Sequence, residues 1–222
     1  LAFSDCVVIN IPLESESTKY SGTFDPIMME LLNLAFAQGM CVHQNLFIRG
    51  GLDIGWWYNQ GDTLISSGLV NSAKREESAN VPVIALCEGL FSYFEDHTDR
   101  STYNEAIDPI PAMFKHYEDE KTSFYFLNYI YLCLNNIDWC PKGDERAIYQ
   151  ASSEDEKENM RNEGYQNIVD RWLRGHARII EEAASCVSDI PKIHNKYIWL
   201  SQYHNETVRG FTSNNECLCN VG

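Results

Sequence analysis

The sequence lacks an uninterrupted apolar run of about 18 residues, which is the length that a helix needs to span a bilayer. Near its start it also lacks the basic region followed by an apolar segment that marks a signal peptide. Internal repeats and low-complexity linkers are missing as well. These absences predict a soluble chain without a membrane partner.

Basic residues are scarce in this chain. It has 17 Lys and Arg against 32 Asp and Glu, which gives a formal net charge of −15. Proteins that bind nucleic acids obtain most of their affinity from Lys and Arg side chains that neutralise phosphates, so the balance argues against a nucleic-acid partner. An anionic nucleotide could still be held locally if metal ions supplied positive charge.

Zinc-site spacing is also missing, although the chain has eight cysteines. Most of them stand singly in apolar runs, where a free thiol packs as a small hydrophobe. We therefore expect reduced thiols and a cytoplasmic protein. Cys217 and Cys219 have no second Cys or His pair at zinc-finger spacing, and no metal is assigned to them. His194 and His204 are expected in packing or at the surface rather than as ligands.

The chain contains enough apolar material for a folded core, with 44% hydrophobic and 12% aromatic residues. Residues 2–13 form an apolar β-branched run with Ser4 and Asp5 near its start, which predicts a strand or a hairpin carrying an acid at its bend. Pro26 is expected to begin a helix that Asp25 caps and that runs to Gly39.

The next part of the chain predicts more strands and a second helix. Residues 46–55 and the segment through Ile65 suggest two strands joined near residues 59–62. A helix from Gly68 then leads to residues 83–86, a short buried strand. The order from residue 2 to about 88 is therefore strand, strand, helix, strand, strand, helix, strand. It predicts an α+β sandwich with helices on one face of the sheet.

Beyond residue 95 the pattern changes. Residues 123–133 are rich in aromatics and fit either a strand or a buried helix. Ser153 and Glu156 form a capping box that begins a long helix to about residue 188, and Pro191 opens another helix. Two such amphipathic helices either complete a core or form a dimer contact.

The segment from Gly68 to Ala79 carries the strongest chemical signal. It places an amide at Asn71 and a guanidinium at Arg75, one helical turn apart on the same face. A neutral donor beside a fork of charged donors suits a phosphate whose charge grows during a reaction. The alternative is a solvated helix whose polar side chains face water.

Four segments together resemble class III nucleotidyl cyclases in order and spacing. The similarity is greatest to the compact bacterial branch typified by the Pycsar anti-phage pyrimidine nucleotide cyclases, which also have a C-terminal segment similar to residues 195–205. The resemblance covers about residues 2 to 88 and that tail. The four segments are residues 3–12, 48–55, 68–75 and 81–84.

The resemblance implies a ferredoxin-like cyclase core at residues 1–95, on a mainly antiparallel sheet, and a C-terminal extension with two long helices at residues 96–222. Such enzymes convert a nucleoside triphosphate into a 3′,5′-cyclic monophosphate and pyrophosphate. Two divalent ions, Mn²⁺ or Mg²⁺, are held by two aspartates, and Asp5 matches one of them. Asn71 and Arg75 match the residues that stabilise the transition state. They act on substrate held mainly by the other subunit of a head-to-tail homodimer.

Several positions depart from the family pattern. The other metal aspartate and its strand are expected before residue 1, so the chain by itself is expected to be inactive. Leu1 stands where purine-specific members often have a base-reading lysine. Arg49 is interpreted as structural, and Asp53 is not assigned as a metal ligand because it lies on a later strand. The alternative for Asp5 is an ordinary turn aspartate.

Two functions from different classes remain. The first is an enzyme that makes cyclic UMP or cyclic CMP from UTP or CTP as a second messenger in anti-phage defence, and that affects a downstream effector only through this product. The second is a non-catalytic cyclase-like domain that dimerises or senses nucleotides. An upstream strand with an aspartate in an apolar context would favour the enzyme.

Overall fold

The computed structural model describes residues 2–3, 6–16, 18–61 and 63–221. Asp5, the predicted metal ligand, lies outside the described residues, as does Asp62 of the predicted turn. In chain order the strands and helices are β1 (Ala2–Phe3), β2 (Cys6–Val7), α1 (Thr18–Ser21), α2 (Phe24–His43), β3 (Gly50–Leu52), β4 (Trp57–Gln60), β5 (Thr63–Ser66), α3 (Ser67–Ala79), β6 (Ile84–Leu86), α4 (Glu88–Glu95), α5 (Ile110–Met113), β7 (Phe114–Glu118), β8 (Ser123–Leu127), α6 (Tyr129–Asn135), α7 (Asp144–Ala151), α8 (Glu154–Ser185) and α9 (Pro191–Val208). Short 3₁₀ helices cover Thr98–Thr102 and Asn215–Cys217.

The fold is α+β, as the sequence predicted. The main sheet has the order β3-β6-β8-β7. Strands β3 and β6 are parallel, whereas β8 runs antiparallel to both of its neighbours. Two further pairs, β1 with β2 and β4 with β5, form separate antiparallel hairpins.

The region predicted as two strands over residues 46–65 contains three. The turn at Gly61 joins β4 to β5, but β3 does not pair with this hairpin. It pairs with β6, which the chain reaches only after α3. The difference arises because a pairing with a distant strand leaves no signal in the local hydrophobic pattern.

Helices lie on both faces of the main sheet. Gly51, Ala85 and Phe126 are register partners and so share one face, and α3 packs there against Gly51. Tyr125 points to the other face, where the Phe91 ring of α4 stacks on it at 3.6 Å between centroids. The sequence predicted helices on one face only. All three residues of β6 are buried, which fits a strand covered from both sides.

The chain divides into two compact units. The first comprises residues 1–38 and 47–129, and the second comprises residues 39–46 and 130–222. The predicted domain limit at residue 95 lies within the first unit. This is because β7 and β8 complete the same sheet as β3 and β6.

Packing of Phe24 within the first unit explains where α2 begins. The helix starts at Phe24, one residue before the predicted cap, and Phe24 is fully buried against Phe94 and His97. Asp25 therefore lies inside the first turn, where its carboxylate accepts a hydrogen bond of 2.6 Å from the Tyr103 hydroxyl. Burial of the Phe24 ring thus decides the position of the helix start.

Helices α8 and α9 form much of the second unit. The predicted capping box is confirmed, because Ser153 and Glu156 bond to each other's backbone N–H groups, and α9 begins at Pro191 as predicted. The aromatic region that fitted either a strand or a helix is strand β8 followed by helix α6. Among the described residues, no helix combines the length and apolar character needed to cross a membrane.

Candidate functional site

The candidate site lies where two parallel strands end side by side. Leu52 of β3 is paired with Leu86 of β6, and the Cys87 N–H donates to the Leu52 carbonyl at 2.9 Å. Asp53 and Cys87 therefore follow their strands at the same end of the sheet, the carboxyl end of β3 and β6. The carboxyl ends of parallel strands are the common place for ligand sites in α/β sheets.

Glycines allow α3 to lie unusually close to this end of the sheet. A Cβ atom on Gly51 would be only 1.9 Å from the backbone oxygen of Ser72, so no other residue fits there without moving the helix. Farther along, a Cβ atom on Gly55 would be 2.6 Å from the backbone nitrogen of Gly68. Close backbone contact is a main reason for glycine in a strand.

Hydrogen bonds at both ends fix the position of α3. The Ser66 hydroxyl caps its start by accepting from the Leu69 N–H at 3.1 Å. At its other end, the Arg49 guanidinium donates to Glu76 at 2.6 Å and to the Asn80 side-chain oxygen at 3.2 Å. Arg49 thus has the structural role that the sequence predicted.

The same helix presents Asn71 and Arg75 to the strand ends. The Asn71 amide donates to a carboxylate oxygen of Asp53 at 2.9 Å. The Arg75 side chain is 18% exposed, and one of its nitrogens lies 4.0 Å from a carboxylate oxygen of Glu88. We call this group the strand-end cluster; its members are Asp53, Asn71, Arg75, Cys87 and Glu88.

Electrostatics keep the thiol of the strand-end cluster protonated. Burial raises the pKa of Cys87, and the negative charge of Asp53 raises it further. A hydrogen bond with Arg75 acts in the opposite direction, without cancelling the shift. Because a thiolate is the reactive form of cysteine, Cys87 is better suited to donating a hydrogen bond than to attacking a substrate.

The structure brings together two of the three predicted site residues. Asn71 and Arg75 share one helix face beside Asp53 and Cys87, whereas Asp5 is outside the described residues. Sequence reasoning set Asp53 aside, yet Asp53 is the partner of Asn71. Gly51 and Gly55 were the available signal, since they stand two residues to either side of Asp53 and both lie against the backbone of α3.

The cluster supplies only part of a metal site. Carboxylate oxygens are the ligands that Mg²⁺ and Mn²⁺ prefer, and Asp53 and Glu88 offer them. In the described part of the chain, no three His, Cys, Asp or Glu side chains stand close enough together to hold a metal ion. A two-aspartate site would need Asp5, whose position the structure does not describe.

A concave region is present in the second unit. It is lined by residues of the C-terminal segment, including Arg209 and Asn214, and contains none of the predicted site residues. The strand-end cluster, which contains Asn71 and Arg75, is the candidate functional site.

Comparison with known proteins gives no assignment. The chain matches no protein-family model, no curated protein and no solved structure.

Proposed function

We propose that the protein is a nucleotide cyclase that converts a pyrimidine nucleoside triphosphate, UTP or CTP, into its 3′,5′-cyclic monophosphate and pyrophosphate. The observation that carries the proposal is the position of α3, which presents Asn71 and Arg75 one turn apart at the edge where β3 and β6 end. The order of the four cyclase-like segments supports the same reaction. The product would act as a second messenger in anti-phage defence, in the cytoplasm.

Arg75 and Asn71 have complementary roles in this reaction. The guanidinium of Arg75 is a rigid fork of N–H donors that suits two oxygens of one phosphate. Its side chain is mostly buried, so its charge is less screened by solvent than that of a surface arginine. Asn71 contributes a neutral donor beside it. Together they would stabilise the charge that develops on the α-phosphate as the ribose 3′-oxygen attacks.

Divalent ions complete the proposed chemistry. The resemblance assigns Asp5 as a ligand of Mn²⁺ or Mg²⁺, together with a second aspartate expected before residue 1. When bound, such ions lower the pKa of the attacking hydroxyl and neutralise the triphosphate. This contribution matters here because Arg75 is balanced by two acidic members of the strand-end cluster, Asp53 and Glu88.

The activity is tested with the full-length protein, Mn²⁺ and each of the four ribonucleoside triphosphates, followed by chromatographic separation of the products. We expect cyclic UMP or cyclic CMP from the wild-type protein. Asn71→Ala should reduce the rate about 100-fold, as is typical for loss of a transition-state donor. Glu77→Gln is the matched control on the same helix and should leave the rate unchanged.

The outcomes separate the two functional classes. No cyclic product from any of the four nucleotides would refute the enzyme. Saturable nucleotide binding without product would instead support a non-catalytic nucleotide-sensing domain.

The proposed homodimer has its own test. If each site combines Asp5 of one protomer with Asn71 of the other, the impaired variants Asp5→Ala and Asn71→Ala should regain activity when mixed, since each heterodimer then keeps one intact site. Each variant alone should stay at its low rate. A mixture no more active than its components would contradict a shared site.

A further inference from the structure

Asp53 holds the side chain on which the proposed reaction depends. Its carboxylate accepts the 2.9 Å hydrogen bond from the Asn71 side chain, which is otherwise exposed on the helix surface. A carboxylate without its proton can only accept, so the Asn71 nitrogen must face Asp53. One N–H of the amide is thereby engaged, and its second N–H and its oxygen point elsewhere.

Asp53 is itself held in place. It follows directly after β3, which pairs with β6 through Leu52 and Leu86. Asp53 raises the pKa of the Cys87 thiol and Arg75 lowers it, so both side chains lie near this thiol. The carboxylate is therefore hydrogen-bonded to Asn71 directly and has the Cys87 thiol, a neighbour of Arg75, close to it at the end of the strand pair.

We infer that Asp53 is a positioning residue, whose carboxylate fixes the Asn71 amide so that its second N–H is directed at the substrate. This inference rests on the proposed cyclase function. An exposed asparagine samples several side-chain orientations, and selecting one of them during the reaction costs entropy. A donor that is already oriented stabilises the transition state without that cost.

The experiment compares Asp53→Ala and Asp53→Asn in the full-length protein, with Glu77→Gln as the control. Asp53→Ala removes the acceptor and should lower kcat about tenfold, the effect expected for one hydrogen bond to a charged group. KM should stay within about twofold, because Asp53 acts through Asn71 and not on the substrate. Asp53→Asn keeps an oxygen that can accept, so kcat should stay within about threefold.

A double variant separates positioning from direct action. In the Asn71→Ala background, Asp53→Ala should cause no further loss of kcat, because there is no longer an amide to orient. A full additional tenfold loss would overturn the inference and show that Asp53 acts independently. An unchanged kcat in the single variant Asp53→Ala would overturn it as well.

A spectroscopic measurement keeps this inference separate from the proposed function. The Asn71 side-chain amide signals in a ¹⁵N spectrum are assigned by their loss in Asn71→Ala. We expect them to shift in Asp53→Ala and to be nearly retained in Asp53→Asn and Glu77→Gln. If the wild-type protein forms no cyclic nucleotide, the proposed function fails, and these spectra still decide whether Asp53 positions Asn71. Amide signals unchanged in Asp53→Ala would overturn the positioning role.

Discussion

Arg75 is the cationic residue of the strand-end cluster, and its shape should matter as much as its charge. Lysine keeps the positive charge but is a point donor that cannot bind two phosphate oxygens through a planar fork. We expect Arg75→Lys to lower kcat about 10- to 100-fold, as loss of a transition-state donor typically does. Lys74→Gln, on the exposed side of the same helix, is the control and should retain the wild-type kcat.

Gly51 determines how closely α3 approaches the sheet. A Cβ atom there would overlap the Ser72 backbone oxygen, which is not a flexible group that could rotate away. Gly51→Ala should therefore lower the free energy of unfolding by about 1–3 kcal/mol, the usual cost of overpacking. Urea unfolding measures this change.

Gly89 is the matched control for this prediction. Nothing lies within 4 Å of a Cβ atom placed on this residue of α4. Gly89→Ala should therefore raise the free energy of unfolding by up to about 1 kcal/mol, because alanine loses less backbone freedom in a helix. Equal effects of the two substitutions would contradict the close contact at Gly51.

The residues of the site differ in how far the sequence could reveal them. Asn71 and Arg75 were found because their spacing is local to one helix. Asp53 was not, because its contact with Asn71 depends on the pairing of β3 with β6 and on the close approach at Gly51. Gly51 and Gly55 indicate that some backbone comes close, but no residue near Asp53 reveals the strand pairing or that the approaching element is α3.

At the scale of elements, α3 depends on its N-cap. The Ser66 hydroxyl satisfies the Leu69 N–H, and Ser66 is buried at the end of β5. Ser66→Ala should lower the free energy of unfolding by about 1 kcal/mol, the typical cost of losing an N-cap. The midpoint of urea unfolding reports this loss.

Ser78, near the other end of α3, serves as the comparison. Its hydroxyl donates to the Arg75 carbonyl within the helix, where alanine is the better helix former. Ser78→Ala should leave stability unchanged or raise it slightly. If Ser78→Ala proved as destabilising as Ser66→Ala, the special role of the cap would be contradicted.

Elements with local signals were predictable from the sequence, and elements defined by distant contacts were not. The capping box at Ser153 and the proline at Pro191 mark the starts of α8 and α9 in any context. The start of α2 was misplaced because burial of Phe24 outweighs the capping preference of Asp25. The turn of the β4–β5 hairpin was predicted near residues 59–62, but the separation of this hairpin from the main sheet was hidden, since the order of strands in a sheet is a long-range property.

For the whole molecule, the excess of acidic residues limits what can bind. A net charge of −15 repels polyanions, whereas a nucleotide accompanied by divalent ions carries much less negative charge. Activity should therefore depend on both Arg75 and the metal ion. The absence of a nucleic-acid partner stays a prediction.

The second unit contains a buried histidine pair that should make the stability of the molecule depend on pH. His176 and His204 are fully buried and stacked, with 2.9 Å between their Nδ1 atoms. The His204 Nε2 lies 2.8 Å from the Cys217 carbonyl, which can only accept. His204 therefore carries its proton on Nε2 and accepts at Nδ1 from His176, so both rings are satisfied in their neutral forms.

Acid should destabilise the protein through this pair. Burial lowers the pKa of His204 to about 4 and lowers that of His176 well below its usual value, from an ordinary value of 6.5. Between pH 6.5 and 4 the unfolded chain consequently binds more protons than the folded one, so the free energy of unfolding falls as pH falls through this range. Urea unfolding at pH 7, 6 and 5 should show the decrease. The control variant His116→Gln, which changes an exposed histidine, should show the same decrease in the free energy of unfolding.

In NMR titrations the His204 ring should stay neutral at pH 6. Titration of that ring near pH 6.5 in the folded protein would contradict the neutral pair, because a buried imidazolium would then be tolerated without cost.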